Sequence, residues 1–224
     1  MQLNNDFFEK IERNYIGQCL ANIQGIEHLK RFFQRATKEQ NPIWILKAYT
    51  AETDFYKALN TEIACGTTQY QLERKYLIAL LYHHPSLNDL TFVGTSYRVV
   101  QMSSDQMKNY RIGFTLMTKS LFSSSVDQKI TELFLFRKDQ QSKQSSTLQR
   151  KRLDGTSIQS WVMFTYQIKH QRTALHIENI SQYANEGEIL IMPFAHFTIQ
   201  NIQQIQLNRL PSRMSITQIT LEEC

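Results

Sequence analysis

Glycine is scarce, seven residues in 224, and none stands in a G-x-G-x-x-G or G-x-x-x-x-G-K arrangement. Rossmann turns and Walker loops need those glycines so that backbone amides can close on phosphate, and neither cradle is present. Cysteine is scarcer still: Cys19, Cys65 and Cys224 are odd in number and unevenly spaced. That argues against a disulfide framework or a cysteine-held metal and for a reducing compartment. No apolar run approaches the ~20 residues of a membrane span. The amino-terminal M-Q-L-N-N-D-F-F-E-K also lacks the basic-then-apolar order of a secretory signal. The expectation is a cytoplasmic protein with no membrane partner.

What is present describes an ordinary globular chain, with 42% hydrophobic and 20% charged residues. The formal net charge is +5, and much of the excess lies between Arg137 and Arg152, R-K-D-Q-Q-S-K-Q-S-S-T-L-Q-R-K-R. This reads as a solvated basic loop. It has no interleaved aromatics, so nucleic acid is not the expected partner.

Along the chain the hydrophobic period changes once. Up to Pro85 it is helical: Phe8, Ile11 and Tyr15, then Ile26 to about Ala36, then Tyr49 to Gly66, then Gln71 to about Tyr82. Pro42 opens a short apolar turn over 43–46. Thr50 is the expected cap of the third helix, with Glu52 and Asp54 in its first turn. The pair His83–His84 reads as solvated, not as a metal site. After Pro85 the period is two. Strands are expected over 91–100, 114–119, 132–136, 158–169, 188–192 and 197–206. Helices first and strands second gives an α+β fold. The expected division is a helical lobe over 1–85 and a β-rich core over 86–224, forming one compact domain.

Three features carry candidate chemistry. The first is the stretch 181–197, S-Q-Y-A-N-E-G-E-I-L-I-M-P-F-A-H-F. Read as a strand, it sets Glu186 and Glu188 on one face, roughly 6.5–7 Å apart, with Ile189 and Ile191 turned into a core. Two carboxylates so placed can divide labour between a reacting centre and an attacking group. Alone, such a pair is more often solvated surface. The second is Arg98, which shares a strand face with Ser96, opposite Val93, Thr95, Tyr97 and Val99. It serves either an anion or a structural ion pair. A planar guanidinium suits pyrophosphate because its fork bonds two oxygens and keeps its charge. The third is Ser123-Ser124-Ser125, either a solvated turn or a strand edge with the hydroxyls of Ser123 and Ser125 on one face.

Taken in this order, S-Y-R-V-V (96–100), Tyr110 to Gly113, Ser123-Ser124-Ser125, and Glu186 with Glu188 resemble the arginine–serine–glutamate class of mono-ADP-ribosyltransferases. The helix Y-T-A-E-T-D-F-Y-K-A-L-N (49–60) is similar to that family's amino-terminal lobe, and the likeness runs over about residues 45–200. It implies a mainly antiparallel split β-sheet core with an NAD cleft. It also implies NAD as co-substrate, no metal, and a protein acceptor with an exposed arginine.

Carried over residue by residue, the resemblance implies that Arg98 holds the phosphates of NAD and the adjacent ribose. Ser123 braces the nicotinamide ribose and the catalytic carboxylate, with Ser125 beside it. Glu188 bonds the ribose 2′-hydroxyl and stabilises the oxocarbenium ion. Glu186 orients the acceptor arginine and draws off its proton. Val99 stands where the family has a glycine that holds the nicotinamide amide through its backbone. Phe134 is a candidate to stack on nicotinamide, although Phe134 and Phe136 both read first as core. The implied reaction is transfer of ADP-ribose from NAD to arginine with release of nicotinamide. An NAD glycohydrolase on the same fold, and a weak NAD- or partner-binding pseudoenzyme prompted by Val99, are the alternatives.

Overall fold

The computed structural model describes residues 6–51, 53–144, 159–182, 185–209 and 212–224. They form two compact units, each discontinuous in sequence. The first comprises residues 1–92, 118–122 and 171–194; the second comprises 93–117, 123–170 and 195–224.

The first unit is helical. Helix α1 (Asp6–Lys10) runs directly into a π-helix over Ile11–Cys19, followed by α2 (Ile26–Glu39), α3 (Ile43–Thr50), α4 (Phe55–Cys65) and α5 (Gln71–His83). Helix α3 replaces the short turn expected at 43–46. Asn41 starts it, its Oδ1 accepting the Ile43 amide at 3.0 Å, and Pro42 stands where no amide donor is needed. Helix α4 begins five residues later than Thr50. Its N-cap is Asp54 and not Thr50, and Thr53, one residue before it, accepts the Phe55 amide through Oγ1 at 3.3 Å. Gly66 closes α4 at φ 64°, as its position after the last apolar residue implied. His84 departs from the solvated reading: it is half-buried, accepts the Ser86 amide through Nδ1 at 3.3 Å and packs edge-on against Phe8.

The unit's core gathers Ile11, Leu29, Phe33, Phe55 and Leu77 with Leu175, Ile177, Leu190 and Met192. The last four come from the short antiparallel pair β5 (Ala174–His176) and β6 (Glu188–Ile191) and the residues beside them. A buried polar knot joins α4, α5 and the π-helix. Arg74, 5% exposed, donates through Nη1 to Glu62 Oε2 at 2.9 Å and to the Gln69 carbonyl at 2.7 Å, and through Nη2 to the Thr67 carbonyl. Tyr15 donates to the same Glu62 oxygen at 2.7 Å. Burial, with Glu62 beside it, pushes the Cys19 thiol up to about 11. That keeps it protonated and inert at neutral pH.

The second unit is a twisted sheet with the strand order β2-β7-β8-β4-β1-β3: β1 (Gly94–Ser103), β2 (Thr115–Met117), β3 (Phe122–Ser125), β4 (Gln159–Ile168), β7 (His196–Arg209) and β8 (Ser212–Glu223). Its pairs are antiparallel except β4 with β8. The architecture is therefore α+β with a mostly antiparallel sheet. A short helix α6 (Ser104–Met107) follows β1.

The strand expected over 132–136 is instead part of helix α7, Gln128–Gln144. Its aromatics have strand propensity, but Asp127 Oδ1 accepts the Lys129 amide at 2.7 Å and starts a helix. Thr131 and Leu135, one turn apart, are buried, and Leu135 and Phe136 pack with Met163 and Ile216. The basic stretch is helical as far as Gln144, and its remainder, 145–152, lies outside the described residues. Among the described residues no helix is long and apolar enough to cross a membrane.

Candidate functional site

Within the second unit, alternation along β1 sorts the side chains as the sequence implies. Tyr97 and Val99 pack against the cluster of Leu135, Phe136 and Met163, which leaves Ser96 and Arg98 on the other face. The Val99 side chain is thus half-buried against that cluster and turned away from Arg98. Arg98 Nη1 donates to the backbone carbonyl of Ser123. This contact brings β1 and the serine triplet together, two of the features singled out in the sequence.

The middle serine does most in that triplet. Ser124 Oγ donates to Ser96 Oγ at 3.0 Å, and both residues are buried. Ser125 Oγ accepts the Asp127 amide at 3.0 Å, which shapes the turn from β3 into α7. Ser123 is half-buried. Phe134 lies on α7, half-buried, and Phe136 is core.

Two tyrosines complete the surroundings of Arg98. Across the β1–β4 pairing, Arg98 stands opposite Phe164 and Ser96 opposite Tyr166. Tyr110 packs on Phe164 with ring centroids 5.5 Å apart. Burial drives the Tyr166 hydroxyl far above its usual range, and the nearby charge of Arg98 offsets part of that rise. Burial also raises Tyr110. Both phenols stay neutral at physiological pH. Tyr166 carries no local sequence signal. Only the β1–β4 register, which pairs residues 70 apart such as Ser96 and Tyr166, brings it here.

In the first unit the two glutamates differ from their expected arrangement. Strand β6 starts at Glu188, and Glu186 lies in the preceding turn. Asn185 and Gly187 adopt left-handed backbone at φ 65° and 55°, which breaks an extended run. Period-two geometry therefore does not relate the two carboxylates. Glu178 Oε1 instead accepts the Gly187 amide at 3.3 Å, and its other oxygen lies 3.4 Å from His176 Nε2. Glu178 thus holds the turn that carries Glu186, and no sequence pattern announced it.

Glu188 itself is 7% exposed, and its Oε2 has no hydrogen-bond partner among the described residues. Burying a carboxylate oxygen without a partner costs free energy, and a polar ligand group or a water that reaches it relieves that cost. The rest of β6 is buried on both faces, so Leu190 is core along with Ile189 and Ile191.

The chain matches no protein-family model and no curated protein sequence. Its likeness is to solved structures. The type III effector XopAI of Xanthomonas axonopodis pv. citri aligns over 99% of this chain and 84% of its own, at 14% identity and a TM-score of 0.56. The ADP-ribosyltransferase Vis of Vibrio splendidus, in complex with agmatine, aligns over 100% and 87%, at 15% identity and a TM-score of 0.51. The ADP-ribosyltransferase HopU1 of Pseudomonas syringae pv. tomato aligns over 76% and 65%, at 14% identity and a TM-score of 0.50. At such identities the likeness is one of architecture, and the chain has the ADP-ribosyltransferase fold.

Proposed function

We propose that this protein is an NAD-dependent mono-ADP-ribosyltransferase that transfers ADP-ribose to arginine side chains and releases nicotinamide. The observation that carries the reading is the buried Glu188 carboxylate with an unbonded oxygen at the head of β6, in a chain with this fold. Cleavage of the nicotinamide bond develops positive charge on the ribose, and a carboxylate fixed in a dry setting stabilises that charge without reorganising. The same carboxylate accepts a hydrogen bond from the ribose 2′-hydroxyl.

Arg98 grips the phosphates. Its planar guanidinium bonds two oxygens at once, and the contact to the Ser123 carbonyl holds it in line. Ser123 braces the nicotinamide ribose, and the Val99 backbone takes the nicotinamide amide. Lysine at position 98 keeps the charge but loses the fork. Arg98→Lys is therefore expected to weaken NAD binding by about tenfold or more, read by calorimetric titration. Unchanged affinity would make Arg98 a structural residue.

Arginine as acceptor is supported by a second carboxylate, Glu186, in the turn that leads into the strand of the catalytic one. A free guanidinium has a pKa above about 12 and is not a nucleophile at neutral pH. Glu186, standing outside the strand, orients it and takes its proton. The complex of Vis with agmatine, an arginine-like guanidinium, fits the same choice. The test uses purified protein, NAD and agmatine. Nicotinamide release should persist in Glu186→Gln, while transfer to agmatine falls by about 10²-fold, in the range for a lost general base. Transfer that survives Glu186→Gln assigns the acceptor to another base. Release to water alone in the parent would make the protein a glycohydrolase.

A further inference from the structure

The outer edge of β7 offers a second, separate function. Strand β2 covers that edge only over His196–Thr198, and Ile199 exchanges backbone hydrogen bonds with Gly113 and Phe114 at 2.8 and 2.9 Å. Past Ile199, β7 has no neighbouring strand on that side among the described residues. A bulge at Gln200 ends the covered part. From Asn201 the ladder to β8 is regular again, so among the described residues Asn201–Leu207 presents an open edge about 24 Å long.

Open edges are normally blunted by lysine, proline or inward-pointing charge. Here the run from Phe197 to Asn208, F-T-I-Q-N-I-Q-Q-I-Q-L-N, contains no charged residue, no proline and no glycine. Gln203, Gln204 and Gln206 are exposed along it. An edge of this length without a guard is a template for another strand.

We propose that this edge pairs antiparallel with the same edge of a second copy of the chain, about a two-fold axis through Ile205. An isologous contact must suit itself, since every residue meets its symmetry mate's surface. Charged side chains meet that demand poorly, whereas a primary amide both donates and accepts. Gln204-Ile205-Gln206 reads the same in both directions. The two-fold through Ile205 sets Gln204 of each copy opposite Gln206 of the other, with the isoleucines facing at the centre. The chain already makes such a pair within its own sheet, Gln203 Nε2 donating to Gln218 Oε1 at 2.9 Å across β7 and β8. Gln204 spends one amide hydrogen on Thr217 Oγ1 at 2.9 Å, and its carbonyl oxygen remains an acceptor. A charged foreign strand would find no complementary charge on this edge.

Sedimentation equilibrium of the full chain over rising concentration tests the contact. The weight-average mass of the parent should climb toward that of two chains. Gln204→Lys with Gln206→Lys sets lysine opposite lysine twice and should leave only the monomer. Gln204→Lys with Gln206→Glu sets lysine opposite glutamate twice and should restore the dimer. This outcome also shows that the substituted strand still folds. A parent that stays monomeric, or a double-lysine variant that dimerises like the parent, overturns the proposal. A lysine–glutamate variant that fails to dimerise overturns the register through Ile205.

Discussion

Glu188→Gln is expected to slow nicotinamide release from NAD by about 10²–10³-fold while the protein stays folded. The amide keeps the size and one acceptor oxygen of the side chain, and it removes the negative charge that faces the developing oxocarbenium ion. Folding should not suffer. Oε2 of Glu188 has no protein partner to lose among the described residues, and burying a neutral amide costs less than burying a charge. The measurement is the initial rate of nicotinamide formation, with the far-ultraviolet spectrum and melting midpoint as controls. A folded Glu188→Gln protein that releases nicotinamide at the parent rate would remove the basis of the proposed activity.

Arg74→Met is expected to cost about 3 kcal/mol of stability, the range for breaking a buried ion pair from one side. In a chain of this size that lowers the melting midpoint by roughly 6–12 °C. The loss has several sources. Among the described residues Glu62 keeps Tyr15 and a distant Cys19 as partners, and the carbonyls of Thr67 and Gln69 lose their buried donor. Removing both charges should hurt less: Arg74→Met with Glu62→Met leaves no orphaned ion, so the double variant should melt above Arg74→Met alone. A midpoint unmoved by Arg74→Met would show that water or rearranged side chains replace the knot at no cost.

Most of the elements were legible because their hydrophobic periods are strong. Helix α2 and strands β1, β4, β6 and β7 lie within a few residues of where the pattern placed them. Failures came where a single polar residue outweighed propensity. Asp127 turned a strand-like Glu-Leu-Phe-Leu-Phe into helix, and Asn41 started a helix in what read as a turn. β5 is too short for a period to register, and the Asn185–Gly187 turn depends on left-handed backbone that a strand reading cannot show. At the candidate site, Arg98 and its face of β1 followed from alternation alone. Ser124 was overshadowed by its neighbours, because a triplet does not say which hydroxyl points inward. Tyr166 and Glu178 depend on contacts distant in sequence, and no local pattern encodes those.

The discontinuity of the first unit bears on how such a protein can be cut, grafted or inherited. Residues 171–194 pack in the same core as α1–α5, through Leu175, Ile177, Leu190 and Met192. The helical stretch is therefore not a detachable cassette. A recombination event or a truncation that discards residues 1–92 would carry off the wall against which β5 and β6 are built. Glu188 would remain in the gene on a strand without a floor. Any ancestor or descendant that lost or exchanged the helices would have had to rebuild that wall to keep the carboxylate in place. The interlock ties the inheritance of one glutamate to ninety residues that lie far from it in the chain.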